Sequence, residues 1–332
     1  MNVGVLGAGF MGGTHARAYA KLPAVQVVAV SSRSLENATK LAAEVGANPV
    51  TDEMAIINDP TIEAISICLP THLHKPFTLA ALQAGKHVLL EKPFALNVAD
   101  CDAMIAAYEK SGKFLMVAHV LRFWPEYVAI ADFLHSGALG KPLSAVASRL
   151  TQAPAWSSWF TEPTQSGGAV LDLMIHDLDV LNWMLGQPQS VYARGHQSKP
   201  DMWDHMLTTV DYGTTHGVIE ASAFLPQDYP FTMTLKLYCQ RGLIEFGFKA
   251  GGVSVEMGGG SSLLVYEQGK SYPLKIALGD AWEAQVAYFV DCVRTNRTPV
   301  HGTPQQARLG VQMANAARQS LESGQVVAIT GA

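Results

Sequence analysis

The chain opens on an apolar run, Val3-Gly4-Val5-Leu6, that meets Gly7-Ala8-Gly9-Phe10-Met11-Gly12, and residues 14–22 after it read as helix. Few folds use a strand, a glycine turn and a helix in that order. Gly7 permits the tight turn, Gly9 lets a pyrophosphate approach the backbone, and Gly12 lets helix and strand pack closely. The helix N-terminus then offers its unpaired N–H groups to phosphate oxygens. The pattern predicts a dinucleotide site at Gly7, Gly9, Phe10, Met11 and Gly12.

The grammar of the first third agrees. Short apolar runs at 25–30, 64–69, 87–90 and 114–118 alternate with amphipathic stretches, which predicts a doubly wound parallel sheet. Asn97 is placed to cap a helix that runs to about 110, with Gly112 beyond its end, and Gly85 closes a helix begun near 75. After 122 the pattern changes. A helix over 125–135 and a strand over 143–150 lead to a loop carrying Trp156 and Trp159, then to a helix over 168–185 that ends at Gly186. Strands follow over 190–196, 206–212, 217–224, 232–238 and 243–248, several with period-two alternation, and helices over 281–295 and 305–323 close the chain. The expected fold is α/β: a Rossmann domain over 1–120 and an α+β domain over 121–332 with a large, mostly antiparallel open sheet. Such a sheet has to cover its second face, so a homodimer or homotetramer through the C-terminal sheet is expected.

Composition sets the surroundings. With 332 residues the length prior is about two domains, and 48% hydrophobic residues can fill two cores. A net charge of −5 gives no electrostatic reason for nucleic acid or an anionic membrane as partner. Cys68, Cys101, Cys239 and Cys292 stand far apart, which predicts reduced thiols rather than a disulfide framework or a zinc knuckle. The apolar start lacks a basic n-region, and its glycines would break a signal-peptide helix, so the expected location is cytoplasmic.

Three further segments complete a pattern: Pro70-Thr71-x-x-His74, Glu91-Lys92-Pro93, and Ser166-Gly167-Gly168-Ala169-Val170-Leu171-Asp172-Leu173-Met174-Ile175-His176-Asp177-Leu178-Asp179. With the N-terminal glycines and His15 behind them, the chain resembles the glucose–fructose oxidoreductase / inositol dehydrogenase / MocA family of nicotinamide-dependent oxidoreductases over nearly its whole length. The resemblance implies a catalytic Lys92, a substrate-orienting Asp172 and an acid/base His176, in a cleft between the two domains. It also implies Pro70, Thr71, His74, Glu91 and Lys92 at the cofactor, and a sugar, inositol or related polyol as substrate. Arg122 matches one arginine of a basic pair the family carries, and Leu121 departs from the other.

The residues support these roles on their own chemistry. An alcohol that loses hydride must also lose its hydroxyl proton, and a histidine with an ordinary pKa of about 6.5 accepts it near neutrality. Asp172 and His176 are spaced i, i+4 on one predicted helix and so share a face. The same spacing describes a surface pair, but the two glycines ahead should bring the helix N-terminus close to other backbone. Lys92 lies at the C-terminal end of a predicted parallel strand, where open α/β sheets place their ligands, and would stabilise charge on the same oxygen. Asp179 either orients His176 or serves as a cap or an interdomain salt bridge, while Asp177 falls off the active face. His119, Arg122, Trp156 and Trp159 are substrate-pocket candidates, with interdomain core as the other reading of the tryptophans. His72 and His74 form an H-x-H pair without a third ligand in reach, so no metal is expected.

The end of the second strand bears on the cofactor. An NAD site usually places a carboxylate there for the ribose 2′-OH. This chain has Ser31-Ser32-Arg33-Ser34, so Ser32 and Arg33 favour a 2′-phosphate and NADP(H), with Glu36 near enough to serve NAD(H). The alternative to a dehydrogenase is a non-catalytic dinucleotide-binding regulator of the same fold. Such a regulator has no need of Lys92, Asp172 and His176 together. Carbon–halogen or glycosidic bond chemistry through transient oxidation would use the same three residues.

Overall fold

The computed structural model describes residues 1–152, 159, 162–254 and 258–331. The first segment runs β1 (Asn2–Leu6), α1 (Phe10–Ala20), β2 (Gln26–Ser31), α2 (Leu35–Val45), β3 (Asn48–Val50), α3 (Glu53–Asn58), β4 (Ala64–Ile67), α4 (His74–Gln83), β5 (His87–Glu91), α5 (Val98–Ser111) and β6 (Leu115–Ala118). Its strands pair in parallel in the order β3-β2-β1-β4-β5-β6. Strand order reverses between β1 and β4, which is the switch point where sheets of this kind leave a crevice. β4 and β6 are buried at every position, the uninterrupted apolar pattern of parallel strands covered on both faces. The expected caps are present: Asn97 accepts from the Asp100 N–H, and Gly112 takes the left-handed conformation that ends α5. One boundary differs. The first helix starts at Phe10 rather than 14, because Gly9 is its N-cap and Gly12 and Gly13 lie inside its first turns.

The second segment runs α6 (Pro125–His135), β7 (Pro142–Gln152), α7 (Pro163–Ser166), α8 (Gly168–Asp172), α9 (Ile175–Leu185), β8 (Ser190–Lys199), β9 (Met202–Asp211), β10 (His216–Leu225), β11 (Thr232–Cys239), β12 (Gly242–Ala250), β13 (Gly259–Glu267) and β14 (Lys270–Pro273). The chain closes with α10 (Ala281–Thr295), α11 (Pro304–Ser323) and β15 (Val327–Ala328). Among the described residues the second sheet has nine strands in the order β14-β13-β12-β11-β7-β10-β9-β8-β15, all antiparallel except the β7/β10 pair. Alternation along β7 and β9 turns one set of side chains onto α8 and α9 and leaves the other set on an outer face. The strands β13, β14 and β15 extend the sheet beyond the run read from the sequence.

By contact the chain divides into Met1–Phe123 with Gly279–Arg308, and Trp124–Leu278 with Leu309–Ala332. A division into 1–120 and 121–332 contains no such return. α10 comes back to the first unit, where Val286, Phe289 and Val290 join Ala16, Ala18 and Tyr19 of α1 in one buried cluster with Val3, Val5, Val27 and Val30. Among the described residues no helix is long and apolar enough to cross a membrane. All four cysteines are free thiols.

Candidate active site

The three glycines of the N-terminal turn are held by three different constraints. Gly7 has φ +101°, and a Cβ there would stand 2.4 Å from the Cys68 carbonyl oxygen. A Cβ on Gly12 would stand 1.8 Å from the Gly7 carbonyl oxygen, so this residue lets α1 close onto the turn. A Cβ on Gly9 would meet nothing within 4 Å. Protein packing therefore explains Gly7 and Gly12 but leaves open space at Gly9, beside a helix N-terminus that no side chain caps and no acidic residue shields. That is a fit for a dinucleotide pyrophosphate. Phe10 is exposed and Met11 half-buried beside it.

The Gly7 N–H donates to the Ser31 carbonyl at 3.1 Å, which ties the turn to the end of β2. There Ser32 is half-buried and Arg33 exposed; the Ser32 hydroxyl accepts from the Ser34 N–H at 3.3 Å, and Ser34 caps α2. The first carboxylate past β2 is Glu36, inside the first turn of α2.

Behind the ends of β4 and β5 lies a buried polar cluster. His15 Nε2 is 3.1 Å from Glu91 Oε1, and His15 Nδ1 is 3.1 Å from Ser66 Oγ and 3.6 Å from Cys68 Sγ. Tyr19 reaches the same Ser66 hydroxyl at 3.0 Å. Burial opposes charge on His15, but the contacts with Cys68 and Glu91 outweigh it and raise its pKa to about 10. The other Glu91 oxygen accepts from the Lys92 N–H at 3.1 Å. Glu91 is thus turned inward, and its carboxylate joins α1 to the backbone of Lys92.

His74 braces the same region. Its Nδ1 lies 2.8 Å from the Pro93 carbonyl and its Nε2 2.8 Å from the Leu69 carbonyl, while burial pushes its pKa down. A backbone carbonyl oxygen therefore faces each ring nitrogen, and the ring ties the segment after β4 to the segment after β5. Pro70 is half-buried and Thr71 buried at the end of β4, the Lys92 side chain is half-buried, and the Lys92–Pro93 peptide is cis. His119 and Arg122 are both buried just past β6, and Leu121 is core. Among the described residues no group of three or more His, Cys, Asp or Glu side chains is arranged to hold a metal ion.

In the second unit Asp172 and His176 are both half-buried, but one helix does not carry them. The N–H groups of Leu173 and Met174 both donate to the Ala169 carbonyl, at 3.1 and 3.0 Å, which makes a wide turn with an i→i−5 bond that separates α8 from α9. Gly167 and Gly168 have φ of +78° and +66°. A Cβ on Gly167 would strike the Leu171 side chain, and one on Gly168 would meet nothing. These glycines supply a left-handed entry to α8 rather than a close approach to other backbone. Asp179 is buried, Trp159 is half-buried, and Trp156 lies outside the described residues. Asp177, which helical spacing sets off the active face, is 1% exposed and paired with a buried Arg149.

Two buried ion pairs, His15–Glu91 and Arg149–Asp177, were not read from the sequence. A signal for each was present. Arg149 shares the inward face of its strand with Ala145 and Ala147, and Glu91 ends the apolar run Val88-Leu89-Leu90, so each is a charge at a position that demands a buried partner.

The first unit gathers the glycine turn, the ends of β2, β4 and β5 and Lys92 at the carboxyl edge of a Rossmann sheet, and these features define a dinucleotide-binding α/β protein. Residues 1–119 match the family model described as "Oxidoreductase family, NAD-binding Rossmann fold", and residues 127–245 match the GFO/IDH/MocA C-terminal domain. The chain is similar to inositol 2-dehydrogenase 4 of Saccharopolyspora erythraea, 30% identical over 261 residues that cover 76% of this chain and 75% of that protein. It is also similar to levoglucosan dehydrogenase of Pseudarthrobacter phenanthrenivorans, 33% identical over 210 residues that cover 58% and 53%. The aldose-aldose oxidoreductase of Caulobacter crescentus, solved in complex with glycerol, shares the fold with a TM-score of 0.87 at 22% identity over 99% of both chains. The chain belongs to the GFO/IDH/MocA family of oxidoreductases.

Proposed function

We propose that this chain is an NADP(H)-dependent dehydrogenase or reductase that moves hydride between the nicotinamide and a hydroxyl or carbonyl carbon of a sugar, inositol or related polyol. The observation that carries the reading is Lys92, set at the carboxyl end of a parallel strand and backed by a buried carboxylate on its own N–H, in a chain that also holds Asp172 and His176. Relatives named for inositol and levoglucosan support the substrate class.

The bound nicotinamide supplies the hydride acceptor or donor. This chain's residues handle the oxygen. His176 takes the hydroxyl proton as an alcohol is oxidised and returns it in the reverse direction. The Lys92 ammonium stabilises negative charge that builds on that oxygen, and Asp172 accepts hydrogen bonds from substrate hydroxyls and fixes the reacting carbon. Ser32 and Arg33 donate to the 2′-phosphate, where a carboxylate would repel it.

A panel of inositols, aldoses and anhydrosugars, followed at the NADPH absorbance band with wild type and Lys92→Met side by side, tests the reading. Turnover on at least one compound is expected, with a loss of about 10²-fold or more in Lys92→Met and in His176→Ala and little change in NADPH affinity. A wild type inert on the whole panel, or a Lys92→Met enzyme as fast as wild type, overturns it in favour of a binding regulator or another catalytic group.

A further inference from the structure

We infer that Arg149 and Asp177 are positioning residues, a buried charge pair that fixes the rotation of α9 and so aims His176. Asp177 follows His176 directly in the first turn of α9. Its Oδ2 accepts from Arg149 Nε at 2.7 Å and its Oδ1 from Arg149 Nη2 at 3.0 Å, a two-pronged contact with both residues within 3% of complete burial. Arg149 lies in β7, in register with Ala221 of β10 and Met233 of β11, so the pair joins a central strand to the helix above it. The remaining guanidinium surface is enclosed: Nη1 lies 2.9 Å from Met233 Sδ, and the Phe231 ring lies 6.0 Å away.

Stability is a weak reason for such a pair. Charges taken out of water give back through their attraction about what they lose in solvation, and apolar side chains of similar volume often serve the fold as well or better. What a bidentate pair does that an apolar contact does not is forbid sliding: a rotation of the helix by a fraction of a turn would separate buried charges. The wide turn at Ala169–Met174 gives this constraint its purpose. It breaks the hydrogen-bond ladder between α8 and α9, so the phase of α9 is not inherited from α8 and has to be set elsewhere. The Arg149 fork sets it, one residue from His176.

The proposal rests on the reading of His176 as acid/base, and its test separates the two. The double variant Arg149→Met with Asp177→Leu keeps volume and removes both charges; Arg149→Lys keeps charge and removes the fork. Each is compared with wild type by thermal melting, by turnover on a substrate from the panel, and by the ¹³Cε1–¹H signal of His176 in histidine-labelled protein, assigned through His176→Gln. The double variant is expected to melt no lower than wild type, to lose turnover at least tenfold without a rise in the KM for cofactor, and to show the His176 signal broadened or split. Arg149→Lys is expected to fall between. Wild-type turnover with an unchanged His176 signal overturns the inference. So does a double variant that fails to fold, since the pair would then hold the structure rather than aim a side chain. If His176→Ala keeps full turnover, the catalytic reading fails, and the labelled signal still decides whether the pair fixes that side chain.

Discussion

A single methyl group distinguishes the roles of neighbouring glycines. At Gly12 the added carbon would stand 1.8 Å from a backbone oxygen, and backbone cannot give way as a flexible side chain can. At Gly9 the same carbon meets no protein atom, and φ −82° there suits alanine. Gly12→Ala is therefore expected to lower the melting temperature of the free protein, while Gly9→Ala leaves it unchanged and abolishes most of the upward shift that NADPH gives wild type. Thermal melts with and without NADPH check both. At Arg33, alanine removes a charge-assisted hydrogen bond to a 2′-phosphate, so the NADPH preference over NADH should shrink by about tenfold to a hundredfold in fluorescence titrations. Equal wild-type affinity for the two cofactors would count against that assignment. The glycine turn was legible in the sequence because its spacing is itself the chemistry, and Lys92 and His176 stood out as candidates because each belongs to a short linear pattern. The partners of His15 and Arg149 were not, since Glu91 and Asp177 come from other elements and only the fold brings them together.

Elements read well where one local rule decided them and poorly where two rules met. α6 and α10 lie where their periodicity put them, because nothing interrupts their ladders. The stretch 168–185 has helical periodicity throughout and still divides, since periodicity reports which face is apolar and is blind to one bond running i→i−5. The junction of α1 with β5 leads to a pH prediction. Contacts with Cys68 and then Glu91 raise His15 from 6.5 to about 10 in the folded protein, so they stabilise fully below pH 6.5 and are lost as pH rises through about 10. The wild-type melting temperature should fall between pH 8 and 10.5, and the fall should be shallower in Glu91→Gln, which starts lower. Parallel melting curves for the two proteins across that range would show that the contact carries no such linkage.

The outer face of the nine-stranded sheet makes a claim on the whole molecule. Val146 and Val218 are cross-strand neighbours there, as are Tyr238, Leu243 and Tyr266 in series, and Val146, Val218, Tyr238, Tyr266, Leu207 and Phe224 are all exposed. We propose that a second copy of the chain covers it. Light scattering at micromolar concentration should give two or four times 35.6 kDa, and Val146→Lys combined with Val218→Glu should reduce it to one. A wild-type mass of one chain sinks the proposal. That an open sheet lay after residue 190 was visible in strand alternation, but the return of Gly279–Arg308 to the first unit was not, because an amphipathic helix declares that it will be covered and not by what. That return also sets an order of events during synthesis. Val286, Phe289 and Val290 cover the α1 surface around Ala16, Ala18 and Tyr19, and at about 5–20 residues per second they leave the ribosome on the order of ten seconds after β6 has emerged. The domain that is written first is finished nearly last, and until then a chaperone has an apolar helix face to hold.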